Sequence, residues 1–171
     1  ADHTQGVAEL KAATGAKVCG PADAAGSAPL DRILKDGDTV SLGGSSFEIW
    51  HTPGHSNGHL TFASTASKLA LVGDVVFVMG CGRVQPGQMG SRVMSLPDDV
   101  RLIAGHDYTL SNARFAAAMD NANPAVAARL AEAEAAKTAG RFWALTTIGE
   151  EKATNPFFRA GEPALAEAVN L

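Results

Sequence analysis

Four short islands hold almost every side chain in this sequence suited to a divalent cation: Asp2-His3, Thr52-Pro53-Gly54-His55, Gly73-Asp74 and Gly105-His106. Each of the last three lies where an apolar run ends in a Gly or Pro turn. A β-scaffold delivers ligands to one rim of a sheet in this way, so the islands predict one metal centre assembled from several loops. Asp2-His3 offers an adjacent carboxylate and imidazole ahead of a helix, a hard-to-borderline pair suited to Zn²⁺, Mn²⁺ or Fe²⁺. His55 and His106 each follow a glycine, which lets their rings point into a cleft at the sheet edge. Asp74 is poorly placed for a core. Its two oxygens can bridge two cations and offset part of their mutual repulsion. Capping a turn or helix is the other role open to it, and the neighbouring His islands favour the metal.

The remaining histidines are read differently. His51 closes a strand, and its parity is expected to turn it away from the centre. His59, four residues beyond His55, is expected to orient a ligand or a water rather than to bind metal. Cys81, in Gly80-Cys81-Gly82-Arg83, fits a tight loop better than a ligand shell.

The elements that must position these residues can be read from pattern. Thr4 to Thr14 follows helical spacing and meets Gly15, a natural left-handed stop. Lys17-Val18-Cys19 predicts a short strand with Cys19 in the core, and Leu30, Ile33 and Leu34 one turn of helix. Residues 39–42 and 47–50 alternate as strands around Gly43-Gly44, and a second hairpin joins 60–62 to 69–72. Residues 79–97 read as loop, and Val100 to Ala104 as the strand that delivers His106. Leu110 to Met119 and Ala125 to Thr138 are Ala-rich helices, the second opened by Asn123-Pro124. The order predicts a two-layer or sandwich-like α/β body with a helical C-terminal region.

Composition narrows the function. With 171 residues, 46% apolar and 19% charged, the chain fits one globular domain. A net charge of −4 and no Lys/Arg cluster argue against a nucleic-acid partner. No apolar run reaches membrane-spanning length and no signal peptide is visible, which predicts a cytoplasmic protein with no membrane association. Cys19 and Cys81 are too few for a disulfide framework and suit a reducing compartment.

The islands, together with Ser56-Asn57-Gly58-His59, Gly80-Cys81-Gly82-Arg83 and Gly105-His106-Asp107-Tyr108-Thr109, resemble the metallo-β-lactamase superfamily. Within it the chain is similar to glyoxalase II, the hydroxyacylglutathione hydrolases. That branch is marked by residues 105–112 and by Glu150-Glu151-Lys152-Ala153-Thr154-Asn155-Pro156-Phe157. The likeness runs from Ala1 to about Arg159. It implies an αββα sandwich over residues 1–109, carrying the metal site, and a helical substrate-binding region over 110–171. It also implies a dinuclear centre of two divalent ions, zinc first, with iron or manganese as alternatives. Asp2, His3 and His106 serve the second metal, Asp74 bridges and His55 serves the first. Asp2 and Asp74 thereby count as catalytic. Arg83 and Tyr108 match positions that contact the glutathione part of the substrate.

The implied reaction is hydrolysis of S-(2-hydroxyacyl)glutathione thioesters such as S-lactoylglutathione, by a monomer or weak homo-oligomer. A water held between two cations loses its proton near neutral pH, and the resulting hydroxide attacks the thioester carbonyl. The thiol leaving group, with a free pKa of about 8.5, needs little acid assistance. An anionic tripeptide also needs local positive charge, a role for Arg83. The resemblance implies two further His ahead of Ala1 and basic residues beyond Leu171, so a molecule heavier than 17.6 kDa is expected. It also makes the loop at 84–89 shorter than the family's, without its aromatic glutathione contact. Two other readings compete: a glutathione-persulfide dioxygenase with one iron, and a non-catalytic remnant that binds metal or glutathione.

Overall fold

Gly15 adopts φ 68° and its amide bonds back to Lys11, ending the first helix, α1 (Val7–Thr14), where the sequence places a stop. Residues 2–6 run as turns, so the helix starts later than the predicted Thr4, and none of its residues is buried. The computed structural model describes residues 2–83, 91–141 and 145–168. The loop expectation for 84–89 lies outside them.

Two short parallel strands follow, β1 (Cys19–Gly20) and β2 (Arg32–Ile33), with a 3₁₀ turn at Ala22–Ala24 between them. Strand β2 replaces the helical turn expected near Leu30–Leu34. Asp31 is the cause: its carboxylate accepts from the Val18 amide and pairs with Lys11 and Lys17, while the Leu34 amide donates to the Gly20 carbonyl. Those bonds draw the segment onto β1 and engage the Asp31, Arg32 and Leu34 amides that a helix would use. Cys19 is exposed rather than in the core, because this pair lies at the surface and buries Gly20 instead.

The main sheet starts as an antiparallel meander of β3 (Thr39–Leu42), β4 (Ser45–His51), β5 (Leu60–Ser64) and β6 (Leu69–Gly73). Gly43 and Gly44, at φ 55° and 82°, make the predicted tight turn. A small hairpin comes next, β7 (Val76–Phe77) and β8 (Gly80–Cys81), then a one-turn helix, α2 (Ser91–Met94). The segment read as loop therefore contains β8 and α2 among the described residues. Strand β9 (Arg101–Ala104) returns parallel to β6.

Helix α3 (Thr109–Met119) leads to α4 (Pro124–Thr138), capped by the Asn123 side chain on the Ala125 amide. Strand β10 (Leu145–Thr147) then pairs antiparallel with β9, and helix α5 (Ile148–Thr154) opens on a reciprocal Thr147–Glu150 capping box. Helix α6 (Pro163–Ala168) completes the described chain. The strand order in the main sheet is β10-β9-β6-β5-β4-β3.

Period-two burial shows which sheet face is covered. Ala63, Ala70, Leu102 and Thr146 share one face by register, and all four are buried. On it Ala70, Val72 and Leu102 pack with Val93, Val100 and Ile148 into one core, with Trp50 and Phe158 against it. Each such Val, Leu or Ile contributes about 1.5–3 kcal/mol on burial. That packing fixes β6 and β9 side by side, and these are the two strands that end at Asp74 and His106. A second core joins α3 and α4 to the β7–β8 turn through Val78, Met79, Ala113, Ala116, Val126 and Ala133. The α/β body with C-terminal helices agrees with the sequence reading. Among the described residues no helix is long and apolar enough to cross a membrane.

Candidate metal centre and substrate cleft

Parallel pairing of β6 with β9 brings their C-terminal ends together, and the Gly105 amide donates to the Gly73 carbonyl at 2.8 Å. The next residue on each strand is a predicted ligand: Asp74 and His106. Asp74 is 7% exposed, and its Oδ2 is the point on which the histidines converge. His3 Nε2 lies 3.0 Å from it, His106 Nε2 3.4 Å and His55 Nε2 3.5 Å. Asp2 completes one side, its Oδ2 being 3.3 Å from His106 Nε2 and 3.8 Å from His3 Nε2, while the two imidazole nitrogens are 3.2 Å apart. The structure thus brings together all five predicted ligands, from four separate stretches of chain.

The spacing of these atoms tests whether a cation fits. Ligand atoms sharing a tetrahedral zinc at 2.0–2.1 Å are about 3.3 Å apart. Asp2 Oδ2, His3 Nε2 and His106 Nε2 lie 3.2 to 3.8 Å from one another, and Asp74 Oδ2 lies 3.0 and 3.4 Å from the two imidazole nitrogens. Asp74 Oδ1 is buried and has no hydrogen-bond partner among the described residues, a cost that a cation on that side removes. His55 approaches Asp74 Oδ2 but stands outside the group of Asp2, His3 and His106. Asp2's carboxyl is held below the usual carboxylate range, chiefly by its own backbone amide and then by His3, so it is ionised at neutral pH.

Two glycines make the assembly possible. A Cβ at Gly82 would stand 2.0 Å from the Asp74 carbonyl oxygen and 2.9 Å from His55 Nδ1. A Cβ at Gly105 would stand 2.4 Å from Asp74 Oδ1 and 3.1 Å from His3 Cε1. At both positions the missing side chain leaves room for the backbone or side chain of Asp74 and for a histidine ring.

His59 does not join the cluster. Its Nε2 accepts the Asp74 backbone N–H at 3.2 Å and its Nδ1 faces Thr52 Oγ1 at 3.0 Å, which in turn meets Thr61 Oγ1 at 2.9 Å. Burial, then the nearby His55, push its pKa down to about 4. A neutral ring protonated on Nδ1 satisfies both contacts, and it fixes the backbone at Asp74. His51 is exposed and bonds the Asn57 carbonyl, away from the centre.

Beside the ligands lies a cleft of about 380 Å³, lined by Phe77, Cys81, Arg83, Tyr108 and Asn112 along with Asp74. Tyr108 is stacked on His106 at 5.2 Å and 21°, and Phe77 stands edge-on to both rings. Arg83 is exposed at the cleft wall. Cys81's thiol is pushed up to about 11 by burial, which leaves it protonated and a poor nucleophile. Sequence reasoning missed Phe77, Thr52 and Asn112 as parts of the site. Thr52 and Asn112 sit inside stretches already singled out, whereas Phe77 is an ordinary apolar residue with no local signal.

Comparison with known proteins follows the same lines. A profile described as "Metallo-beta-lactamase superfamily" matches residues 1–120, and one described as "Hydroxyacylglutathione hydrolase C-terminus" matches 107–171. The hydroxyacylglutathione hydrolase of Methylobacterium sp. (strain 4-46) is 48% identical over 177 residues, spanning 99% of this chain and 69% of that protein. Among solved structures, BLEG-1 B3 metallo-β-lactamase superposes with TM-score 0.63 at 19% identity, over 92% of this chain and 72% of that one, a likeness of fold. TTHA1623, solved in a di-iron-bound form, gives TM-score 0.59 at 26% identity, over 91% of this chain and 72% of that one. Divalent-metal binding follows from that membership and suits the donor set. The chain belongs to the hydroxyacylglutathione hydrolase family of the metallo-β-lactamase superfamily.

Proposed function

We propose that this chain hydrolyses the thioester of S-(2-hydroxyacyl)glutathione, releasing glutathione and a 2-hydroxy acid. The convergence of His3, His55 and His106 on one oxygen of Asp74 carries the reading, supported by relatives of up to 48% identity that bear that activity in their name. Asp2, His3 and His106 would hold one divalent ion, His55 another, with Asp74 between them. Zinc is the proposed metal at both. Bound there, such cations acidify water and polarise a carbonyl oxygen.

The chain's own residues do the rest. Asp74, with one oxygen facing three imidazoles, keeps the positive centre compact and anchored to the sheet. Tyr108 and Arg83 line the adjoining cleft and are proposed to hold the glutathione part, the guanidinium facing a carboxylate and the phenol a peptide edge. A thiolate of about pKa 8.5 leaves without a proton donor, so no acid is required opposite the carbonyl. Cys81, being protonated, takes no covalent part. The described structure carries two free cysteines, consistent with a proposed cytoplasmic setting, and a monomer or weak homo-oligomer is the proposed state.

Metal analysis paired with a thioester assay tests this. About two metals per chain with release of glutathione from S-lactoylglutathione is the expected result. One iron per chain, with oxygen uptake and no thioester cleavage, overturns it.

A further inference from the structure

The stretch 150–157 that marks the hydrolase branch makes no contact with the metal ligands, yet it holds two of the most deeply buried polar side chains in the protein. Glu151 and Asn155 are both 0% exposed. Glu151 Oε2 accepts the Met79 backbone N–H at 2.9 Å and the Asn155 side-chain amide at 2.7 Å; its Oε1 accepts the Thr146 hydroxyl at 2.7 Å. The same Asn155 amide donates to the Gly80 carbonyl at 3.0 Å, and its own oxygen accepts the Phe157 amide. From the other side the Asn112 amide donates to the Val78 carbonyl at 3.0 Å. A Cβ at Gly80 would stand 2.5 Å from that Asn112 nitrogen, so only glycine admits it.

Three of these bonds land on three consecutive residues, Val78, Met79 and Gly80, at the tip of the β7–β8 hairpin. Met79 is in the left-handed region at φ 55°, unusual for a residue with a side chain, and is held there by the bond to its amide. The hairpin starts just after Asp74 and runs on to Gly82, packed on the Asp74 carbonyl, and to Arg83. Its tip is thus pinned from α5, while its far end supplies the wall of the cleft.

We infer that Glu151 and Asn155 are positioning residues which fix the hairpin tip from α5 and thereby hold Arg83 at the substrate side of the cleft. The inference rests on the assignment of Arg83 to glutathione binding. The function of the pair is geometric: one carboxylate oxygen takes the Met79 N–H and the Asn155 amide satisfies the Gly80 carbonyl, so the backbone of a strained turn is paired. A buried donor left without an acceptor would otherwise drive the tip to another conformation.

The experiment is steady-state kinetics on metal-loaded Glu151→Ala, Glu151→Gln, Arg83→Ala and the double variant Glu151→Ala/Arg83→Ala. Glu151→Ala is expected to raise KM about tenfold, a size set by one lost charged hydrogen-bond acceptor, with kcat per metal-loaded site nearly unchanged. Glu151→Gln is expected to restore KM: its carbonyl can take the Met79 and Asn155 donors while its amide donates to Thr146, whose hydroxyl can rotate to accept. The double variant is expected to show the KM of Arg83→Ala alone, because the clamp acts through that residue. If Glu151→Ala does not fold, Asn155→Ala leaves the Glu151–Met79 bond in place, removes the Gly80 and Glu151 links together with the acceptor of the Phe157 amide, and carries the same KM expectation. A loss of active fraction with unchanged KM, or additive effects in the double variant, overturns the inference while leaving the substrate assignment standing. An unchanged KM in Arg83→Ala overturns both.

Discussion

Replacing Gly82 with alanine isolates steric support of the centre from its chemistry, since no ligand is altered. The new methyl carbon would lie 2.0 Å from the Asp74 carbonyl oxygen and 2.9 Å from His55 Nδ1. An ordinary carbon–oxygen contact is about 3.3 Å or more, so one of the two backbones has to move by over ~1 Å. Gly82 is not in the left-handed region, so close approach alone decides the effect. Both partners resist: Asp74 is buried and tied through its amide to His59, and His55 faces Asp74 Oδ2. A misplacement of ~1 Å at reacting groups can lower turnover by about 10²-fold, and overpacking costs about 1–3 kcal/mol of stability. The expected result for Gly82→Ala is therefore a fall in thioester turnover of about 10²-fold, loss of metal from the His55 position and a lowered Tm. Gly58→Ala is the matched control. Its methyl would meet the exposed Asp23 carboxyl at 2.9 Å and Cβ at 3.0 Å; the carboxyl can turn away, and the Cβ, on a surface turn, need give by only a few tenths of an ångström. Turnover and metal content are measured on both. If Gly82→Ala keeps full metal and turnover within about threefold of the parent, the packing of Gly82 on Asp74 is not what sets the centre.

Three further outcomes are expected. Asp74→Asn should lower metal content and turnover together, because a neutral amide replaces the carboxylate that faces three imidazoles; normal metal loading would refute the bridging role. His59→Leu removes the acceptor of the Asp74 amide and should weaken metal binding about 10–100-fold in a chelator competition, with unchanged affinity counting against its orienting role. Glu151 gives a pH signature. Burial pushes its carboxyl up to about 7 from 4.5, against the pull of Thr146, Asn155, the Met79 amide and Arg129. The folded protein then binds the proton more tightly than the unfolded chain, so that contribution is present below pH 4.5 and is lost as pH rises to 7. The change is worth roughly 3 kcal/mol. The Tm of Glu151→Gln should therefore gain on the parent across this range, and a pH-independent difference would show that Glu151 ionises normally.

How far sequence alone reached depends on the range of the forces concerned. The clustering of the five candidate ligands was legible because metal chemistry restricts such side chains to few residue types, and because strand ends in Gly or Pro turns are local signals. The two glycine-doublet and Asn-Pro boundaries were legible for the same reason, each being set by backbone chemistry within a few residues. Strand β2 was misread as helix since Leu30, Ile33 and Leu34 do have helical spacing; the bonds that overrule it come from Val18 and Gly20, over ten residues away. Cys19 was placed inside on its apolar neighbours, whereas the shallow two-residue pairing leaves it outside. Strand β10 is three residues long and exists because β9 offers it an edge, which no window on residues 145–147 can reveal. The Thr147–Glu150 capping box beside it, by contrast, is a local signal carried by Thr147-x-x-Glu150. Phe77 belongs to the cleft solely through a hairpin whose tip is held from α5, a purely tertiary fact.

The ligand cluster is also a knot in the chain's connectivity. His3 and Asp74 are 71 positions apart, and His106 and His3 are 103 apart. A cation shared by these residues closes loops of that length, and the entropy of closing the longer one, from (3/2)RT ln n, is roughly 4 kcal/mol. Helix α1 has no buried residue of its own, so its docking leans on the surface bonds of Lys11 and on His3. Cation occupancy therefore bears not only on whether the cleft can react but on how firmly the segment from Asp2 through α1 is held against Asp74 and His106.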